Sequence, residues 1–203
     1  MKLYFTPTSP FVRKVMVLAH ECGLASRLET LTLRPSPIQV NPDLSMQNPL
    51  SKIPVLVTDE GLSLYDSPVI CEYLDSLHRN RKMVPEAGGE RWKTLRTQAL
   101  CDGLLEAAIQ VFYEKLHRPR ELQWQEWLRG QSEKAQQGLD QLEAECSEFS
   151  QGVDLGQIAA AVTLGWLEFR DVFGDIRSAR PQLFDWYESF RQRPSMKSTE
   201  PHG

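Results

Sequence analysis

Apolar and polar residues alternate in short blocks over the first third of the chain and recur at helical spacing over the rest. Lys2–Phe5 is a short β-prone run. Ser9-Pro10 then opens a helix, because serine is a good N-cap and proline fits the first helical position. Val12, Val15, Met16 and Ala19 follow at three-four spacing, and Gly23 ends the helix. Leu28–Leu33 alternates as a second strand, so the chain starts as a βαβ unit. Residues 34–53, RPSPIQVNPDLSMQNPLSKI, read as a loop rich in Pro, Asn and Ser, of a length that often carries function. Pro54–Thr58 is a third strand, Asp59-Glu60-Gly61 a turn and Leu62–Tyr65 a fourth strand, which together make a hairpin. Ser67-Pro68 repeats the cap signature of Ser9-Pro10, and Val69, Ile70, Tyr73, Leu74 and Leu77 form the stripe of a second helix.

Residues 79–88, basic and then Pro/Gly-bearing, read as a linker. Beyond it strand signals nearly vanish. Glu90–His117 reads as one long helix with Trp92, Leu95, Ala99, Gly103, Ala107 and Val111 along one side, and Pro119 breaks it. Glu121–Phe149 continues with Leu128, Ala135, Leu139, Leu142, Cys146 and Phe149. Asp154 caps a third helix, Leu155 to about Arg170, whose apolar surface runs nearly all round and predicts a central, buried position. Gln157 stands three residues past Asp154, in a capping-box arrangement. Pro181–Phe190 is a shorter helix, and Pro194 opens a polar tail.

Composition narrows the functional classes. The 203 residues carry 23 basic and 27 acidic side chains, a net charge of −4. Residues 1–78 hold six basic and eight acidic groups and the remainder 17 and 19, so neither part has the basic surplus of a protein that neutralises phosphates. No nucleic-acid partner is expected. The apolar runs are too short for a membrane span, and Met1-Lys2-Leu3-Tyr4-Phe5-Thr6-Pro7 has no signal-peptide character, so the expected address is the cytoplasm. Cys22, Cys71, Cys101 and Cys146 form no CxxC pair and read as free thiols; the four histidines show no metal-ligand spacing with any cysteine, and no metal is expected.

Three segments carry a resemblance: Thr8-Ser9-Pro10-Phe11-Val12-Arg13-Lys14-Val15, Asn48-Pro49-Leu50-Ser51-Lys52-Ile53-Pro54-Val55-Leu56, and Leu64-Tyr65-Asp66-Ser67-Pro68-Val69-Ile70 with Tyr73-Leu74 after it. In this order and spacing, followed by an all-helical half, the whole chain resembles the glutathione S-transferase family, and its wording is most similar to bacterial transferases of the serine type. The resemblance implies an α/β plus all-α protein: a thioredoxin-like N-terminal domain at 1–78 and an α-helical C-terminal domain at 89–203. It implies a homodimer that joins glutathione thiolate to small, mostly apolar electrophiles.

The same resemblance implies site residues. Ser9, at a helix N-terminus whose dipole favours an anion, would donate a hydrogen bond to the glutathione sulfur. As residues alone, Ser9 reads first as a simple N-cap, and the resemblance reverses that order; Thr8 is its nearest competitor for the thiolate and Thr6 a weaker one. The Ile53–Pro54 bond is expected to be cis, turning the Val55 backbone toward the peptide-like ligand. Asp66 would meet the ammonium and Ser67 the carboxylate of the γ-glutamyl end, with Lys52 on the glycine carboxylate. Phe11, Val111 and Phe112 are candidates for the electrophile pocket, which the resemblance places between the halves; Glu114 stands nearby in the sequence. A non-catalytic binding or regulatory protein on the same fold, and a glutathione-dependent isomerase, remain open at this point. A thiol-disulfide reductase would need a cysteine where Ser9 stands.

Overall fold

The computed structural model describes residues 1–149 and 152–202. In chain order its regular elements are β1 (Lys2–Phe5), α1 (Pro10–Glu21), β2 (Glu29–Thr32), α2 (Pro42–Gln47), β3 (Val55–Val57), β4 (Ser63–Leu64), α3 (Ser67–Ser76), α4 (Gly88–His117), α5 (Gln125–Glu145), α6 (Leu155–Arg170), α7 (Pro181–Phe190) and α8 (Pro194–Lys197). They group into two compact units: Met1–Glu86 with the residues from Pro194 onward, and Ala87–Arg193.

The first unit is built on a four-stranded sheet in the order β2-β1-β3-β4. β1 runs parallel to β2, with Lys2 opposite Glu29 and Phe5 opposite Thr32. It runs antiparallel to β3, with Tyr4 opposite Val55, and β3 runs antiparallel to β4, with Leu56 opposite Leu64. Leu3, Val55 and Leu56 of the sheet and Val12, Val15, Leu18, Ile70 and Leu74 of α1 and α3 have no exposed surface, and α1 packs against α3. Their burial is the main stabilising term, at about 25 cal/mol for each Å² of apolar surface removed from water. The β-α-β then β-β-α order is the thioredoxin-like arrangement expected from the sequence.

Two features of this unit differ from the sequence reading. The 34–53 segment contains a short helix, α2, whose N-cap Asn41 accepts the Leu44 N–H at 3.0 Å. Only Leu44 of its six residues is buried, which leaves no periodicity for a sequence pattern to show. The residues from Pro194 onward belong to the first unit, not to the helical half. Arg13 Nη2 on α1 donates to the Met196 carbonyl at 3.2 Å, and the Ser195 hydroxyl donates to Glu21.

In the second unit α4 packs on both α5 and α6. Leu155 through Leu167 are buried without a break, the central position predicted for α6. Asp154 caps it by accepting the Gln157 N–H at 2.9 Å. The buried face of α4 corrects the expected stripe. Thr94, Thr97, Gln98, Cys101, Leu104, Leu105, Ala108 and Val111 point inward, whereas Trp92 is 67% exposed and Ala99 and Gly103 face solvent. The reason is close approach. A Cβ on Gly156 of α6 would stand 3.0 Å from the Thr94 carbonyl, and one on Gly138 of α5 would stand 3.0 Å from Leu104 Cδ1. Where backbones come this near, thin side chains fill the seam better than tryptophan does.

Candidate functional site

Strand directions gather three segments at one edge of the sheet in the first unit. β1 ends at Phe5 and leads through the Thr6–Ser9 turn into α1. β3 runs antiparallel to β1, so its first residue, Val55, lies opposite Tyr4 near that same end. β4 reverses again, so its last residue, Leu64, lies opposite Leu56, and the chain passes from there to Asp66 and Ser67 at the start of α3. Ser9, Ile53–Val55 and Asp66–Ser67, which lie far apart in the sequence, thus share one edge.

Ser9 is half-buried and is the N-cap of α1: its Oγ accepts the Val12 N–H at 3.3 Å, and its own N–H donates to the Thr6 carbonyl at 3.3 Å. A hydroxyl has one proton and two lone pairs. The cap uses a lone pair, and the proton stays available to an acceptor outside the helix. The first turn of α1 holds no acidic residue, and Arg13 and Lys14 follow, 8% and 1% exposed. A helix N-terminus with buried cations in its first turns favours an anion.

The Ile53–Pro54 bond is cis, as expected. Val55 is buried and pairs with β1, but the β3–β4 ladder covers only Leu56 and Val57. Among the described residues, the β4-side edge of Val55 therefore lacks a strand partner. Asn48, part of the second sequence segment, ties the turn before Ile53 together. It is 2% exposed, its Nδ2 donates to the Lys52 carbonyl at 2.9 Å, and its Oδ1 accepts the Leu50 N–H at 3.0 Å. A buried amide that joins both sides of a turn fixes the approach to Ile53. Lys52 itself is exposed.

At α3 the structure alters the sequence reading. Asp66, not Ser67, occupies the N-cap position, and its side chain makes no capping hydrogen bond. Ser67 is the first helical residue, is 2% exposed, and has no hydrogen-bond partner for its Oγ among the described residues. The Asp66 side chain leaves the first N–H groups of α3 uncapped.

The electrophile candidates fare unequally. Phe11 is half-buried on α1. Val111 is fully buried, so it is core and presents no surface to a ligand. Phe112 is half-buried in a chain of rings, 6.0 Å from Trp166 and 5.7 Å from Tyr113. Glu114 is held by Arg118 Nε at 2.9 Å and by the Trp124 N–H at 3.2 Å.

All four cysteines are free and buried, as the sequence implied. Folding nevertheless does what spacing did not show: a sulfur of Cys22, a carboxylate oxygen of Asp75 and a ring nitrogen of His78 come within 4.8 Å of one another. Asp75 accepts the N–H groups of Met83 at 2.8 Å and Val84 at 3.0 Å, and lies 3.0 Å from His78 Nε2. Burial, and next the Asp75 carboxylate, push the Cys22 thiol up to about 12 from 9.0. A thiol so held is neutral at physiological pH and is no nucleophile.

The same architecture recurs in known proteins. Residues 8–77 match the family description "Glutathione S-transferase, N-terminal domain" and residues 125–189 match "Glutathione S-transferase, C-terminal domain". The chain is 34% identical to the uncharacterized GST-like protein YibF of Escherichia coli (strain K12), over 99% of its own length and 98% of that protein's. The chain belongs to the glutathione S-transferase family. Among solved members, one from Pseudomonas fluorescens Pf-5 with bound glutathione is 42% identical, with a TM-score of 0.97 over 100% of this chain and 99% of that one. The same family member was also solved with bound S-(propanoic acid)-glutathione, at 41% identity and a TM-score of 0.92, with 99% of each chain covered. A glutathione S-transferase from Methylobacillus flagellatus KT with glutathione bound is 32% identical, with a TM-score of 0.87 and 99% of each chain covered.

Proposed function

We propose that this family member is a glutathione transferase of the bacterial serine type, which conjugates glutathione thiolate to small electrophilic, mostly apolar substrates. The observation that carries the proposal is the shared sheet edge. It offers a hydroxyl proton at a helix N-terminus (Ser9), an open strand edge (Val55) and an uncapped helix start with an unengaged serine (Ser67). Each suits one part of the tripeptide. The thiolate accepts from Ser9. The cysteinyl backbone adds to the Val55 edge as a short antiparallel strand. The γ-glutamyl carboxylate meets the α3 N-terminus and Ser67, with Asp66 on the ammonium. Lys52 takes the glycine carboxylate, while Ile53 and Pro54 shape the backbone on which Val55 presents its groups.

In this reading the protein supplies proximity and thiolate stabilisation, not a covalent nucleophile of its own. The relative solved with a sulfur-substituted glutathione supports conjugation, because its ligand has the form of a product. The protein acts as a cytoplasmic homodimer in this proposal. The test is calorimetric titration with glutathione, followed by an activity screen across aryl halides, epoxides, hydroperoxides and maleyl compounds. Micromolar-to-millimolar binding with turnover of at least one electrophile is the expected result. Absence of glutathione binding overturns it in favour of a non-catalytic role.

A further inference from the structure

Three chemically different donors meet where the C-terminal ends of α1 and α3 come together in the first unit. Cys22 is the C-cap of α1, Asp75 is the last but one residue of α3, and His78 follows two residues beyond that helix. A sulfur, a carboxylate oxygen and a ring nitrogen of these three lie within 4.8 Å of one another. Cys22 is 5% exposed, and the side chains of Asp75 and His78 are each 6% exposed. Residues 79–81 are exposed, so the cluster lies close beneath the surface.

Each donor is held ready. One oxygen of Asp75 accepts the Met83 N–H and the other the Val84 N–H, which fixes the carboxylate plane and leaves each oxygen a further lone pair. Hydrogen bonds of this kind orient the ligating carboxylates of metal sites. The His78 ring sets Nε2 3.0 Å from Asp75 Oδ1, while its Nδ1 is buried without a partner. The hydrogen bond made by one ring nitrogen decides which form the other takes. With none at Nδ1, nothing opposes a proton there, and Nε2 then has a lone pair to give. Lys82 Nζ donates to the carbonyls of Asp75 and His78 at 2.6 Å each and pins the turn that carries both. Its charge opposes a cation, but the Asp75 and Glu21 carboxylates act more strongly on the Cys22 sulfur.

We propose that Cys22, Asp75 and His78 bind one Zn²⁺ ion, which ties the end of α1 to the end of α3. Thiolate, imidazole and carboxylate together are a zinc donor set. Around a tetrahedral zinc such donors stand about 3.3–3.6 Å apart, so the cluster has to contract by no more than about 1.5 Å. Water takes the fourth position. The Cys22 thiol gives its proton to solvent as the sulfur–zinc bond forms. Sequence spacing hides the site because its ligands come from two helices. Ser9 stands at the opposite end of α1, about 18 Å away, so the assignment holds whether or not the chain takes glutathione.

The test is metal titration of the whole chain, reduced and first freed of metal by a chelator. Glutathione is left out, because its own thiol binds zinc. In competition with a chromophoric chelator, Zn²⁺ is expected to fill one site per chain with a Kd of about a micromolar or below. Co²⁺ in its place should show the near-ultraviolet charge-transfer band of a thiolate ligand. Cys22→Ser, close to the native residue in size, should abolish that band and weaken Zn²⁺ by about a hundredfold or more. His78→Gln should weaken Zn²⁺ comparably, and it carries the test if Cys22→Ser does not fold. Cys146→Ser, a buried thiol outside the cluster, should leave both readouts as in wild type. Absence of a stoichiometric site in wild type overturns the proposal. So does a cobalt complex without the thiolate band, or Zn²⁺ affinity that is unchanged in a folded Cys22 or His78 variant.

Discussion

The two Ser-Pro helix starts look alike in sequence and are used in opposite ways. At α1 the serine is the cap: Ser9 Oγ takes the Val12 N–H, one of the first donors of the helix. At α3 the serine has slipped one place inward. Asp66 stands at the cap without capping, and Ser67 is buried with its hydroxyl unengaged. Asp154 at α6 is a third case, a cap that closes its helix inside the other unit. A helix start with a side-chain cap is stabilised from within the chain. One whose donors are left open costs stability unless something outside the chain completes it. Under the proposed function the difference between α1 and α3 is a division of labour, in which Ser9 lends its proton to the thiolate at α1 and open N–H donors take the carboxylate at α3.

The largest expected effect breaks the comparison at α1. Ser9→Ala removes the outward proton and, under the proposed function, should raise the pKa of bound glutathione by about one to two units, each worth about 1.4 kcal/mol. The loss should fall on kcat far more than on glutathione affinity. Thiolate absorbance followed against pH in wild type and variant decides this. Superimposable curves would leave Ser9 as a cap only and move the donor role to Thr8 or a backbone N–H. The same variant should lose about 1 kcal/mol of stability from the cap.

Next in size is α3. Ser67→Ala should weaken glutathione binding by about 1–3 kcal/mol in a calorimetric titration. Because Ser67 does not cap, its melting temperature should hardly move, and this separates it from Ser9→Ala. An unchanged affinity would remove Ser67 from the site. Asp154→Ala should show the reverse pattern: about 1 kcal/mol lost in chemical denaturation, with glutathione affinity intact. A drop in affinity there would mean that the scaffold reading of α6 is wrong.

The smallest effect at neutral pH lies at Cys22. Its folded pKa is pushed up to about 12 by burial and by Asp75, against 9.0 for a free thiol. The unfolded chain therefore releases this proton first, so the stabilising contribution is complete below pH 9 and disappears as pH rises toward 12. Cys22→Ala should flatten the alkaline limb of stability against pH and leave the curve near pH 7 in place. An unaltered alkaline limb would show that other groups set it.

Much of the fold was legible because it rests on local signals. Strand β1, the Pro at the first position of α1 and the Asp154 cap all announce themselves within four residues of sequence. What escaped was set by tertiary approach. The buried face of α4 was misread because Thr94, Thr97 and Gln98 line a seam that Gly156 makes narrow, and no hydropathy pattern marks a polar residue as core. Asn48 escaped because its work is done through the Lys52 and Leu50 backbone. The site segments were legible as a pattern, whereas their meeting at one sheet edge follows from the strand register alone.

The attachment of α8 to α1 has a consequence for how this protein is made. Arg13 reaches the Met196 carbonyl and Glu21 the Ser195 hydroxyl, so the helix that carries Ser9 is completed by residues translated after the whole helical unit. On the ribosome the N-terminal sheet emerges first, but it waits for the whole helical unit to be synthesised before this face of α1 is closed. Excising the first unit at the linker would therefore yield an unfinished module. A deletion of a few residues beyond Arg193 would injure the unit that begins at Met1.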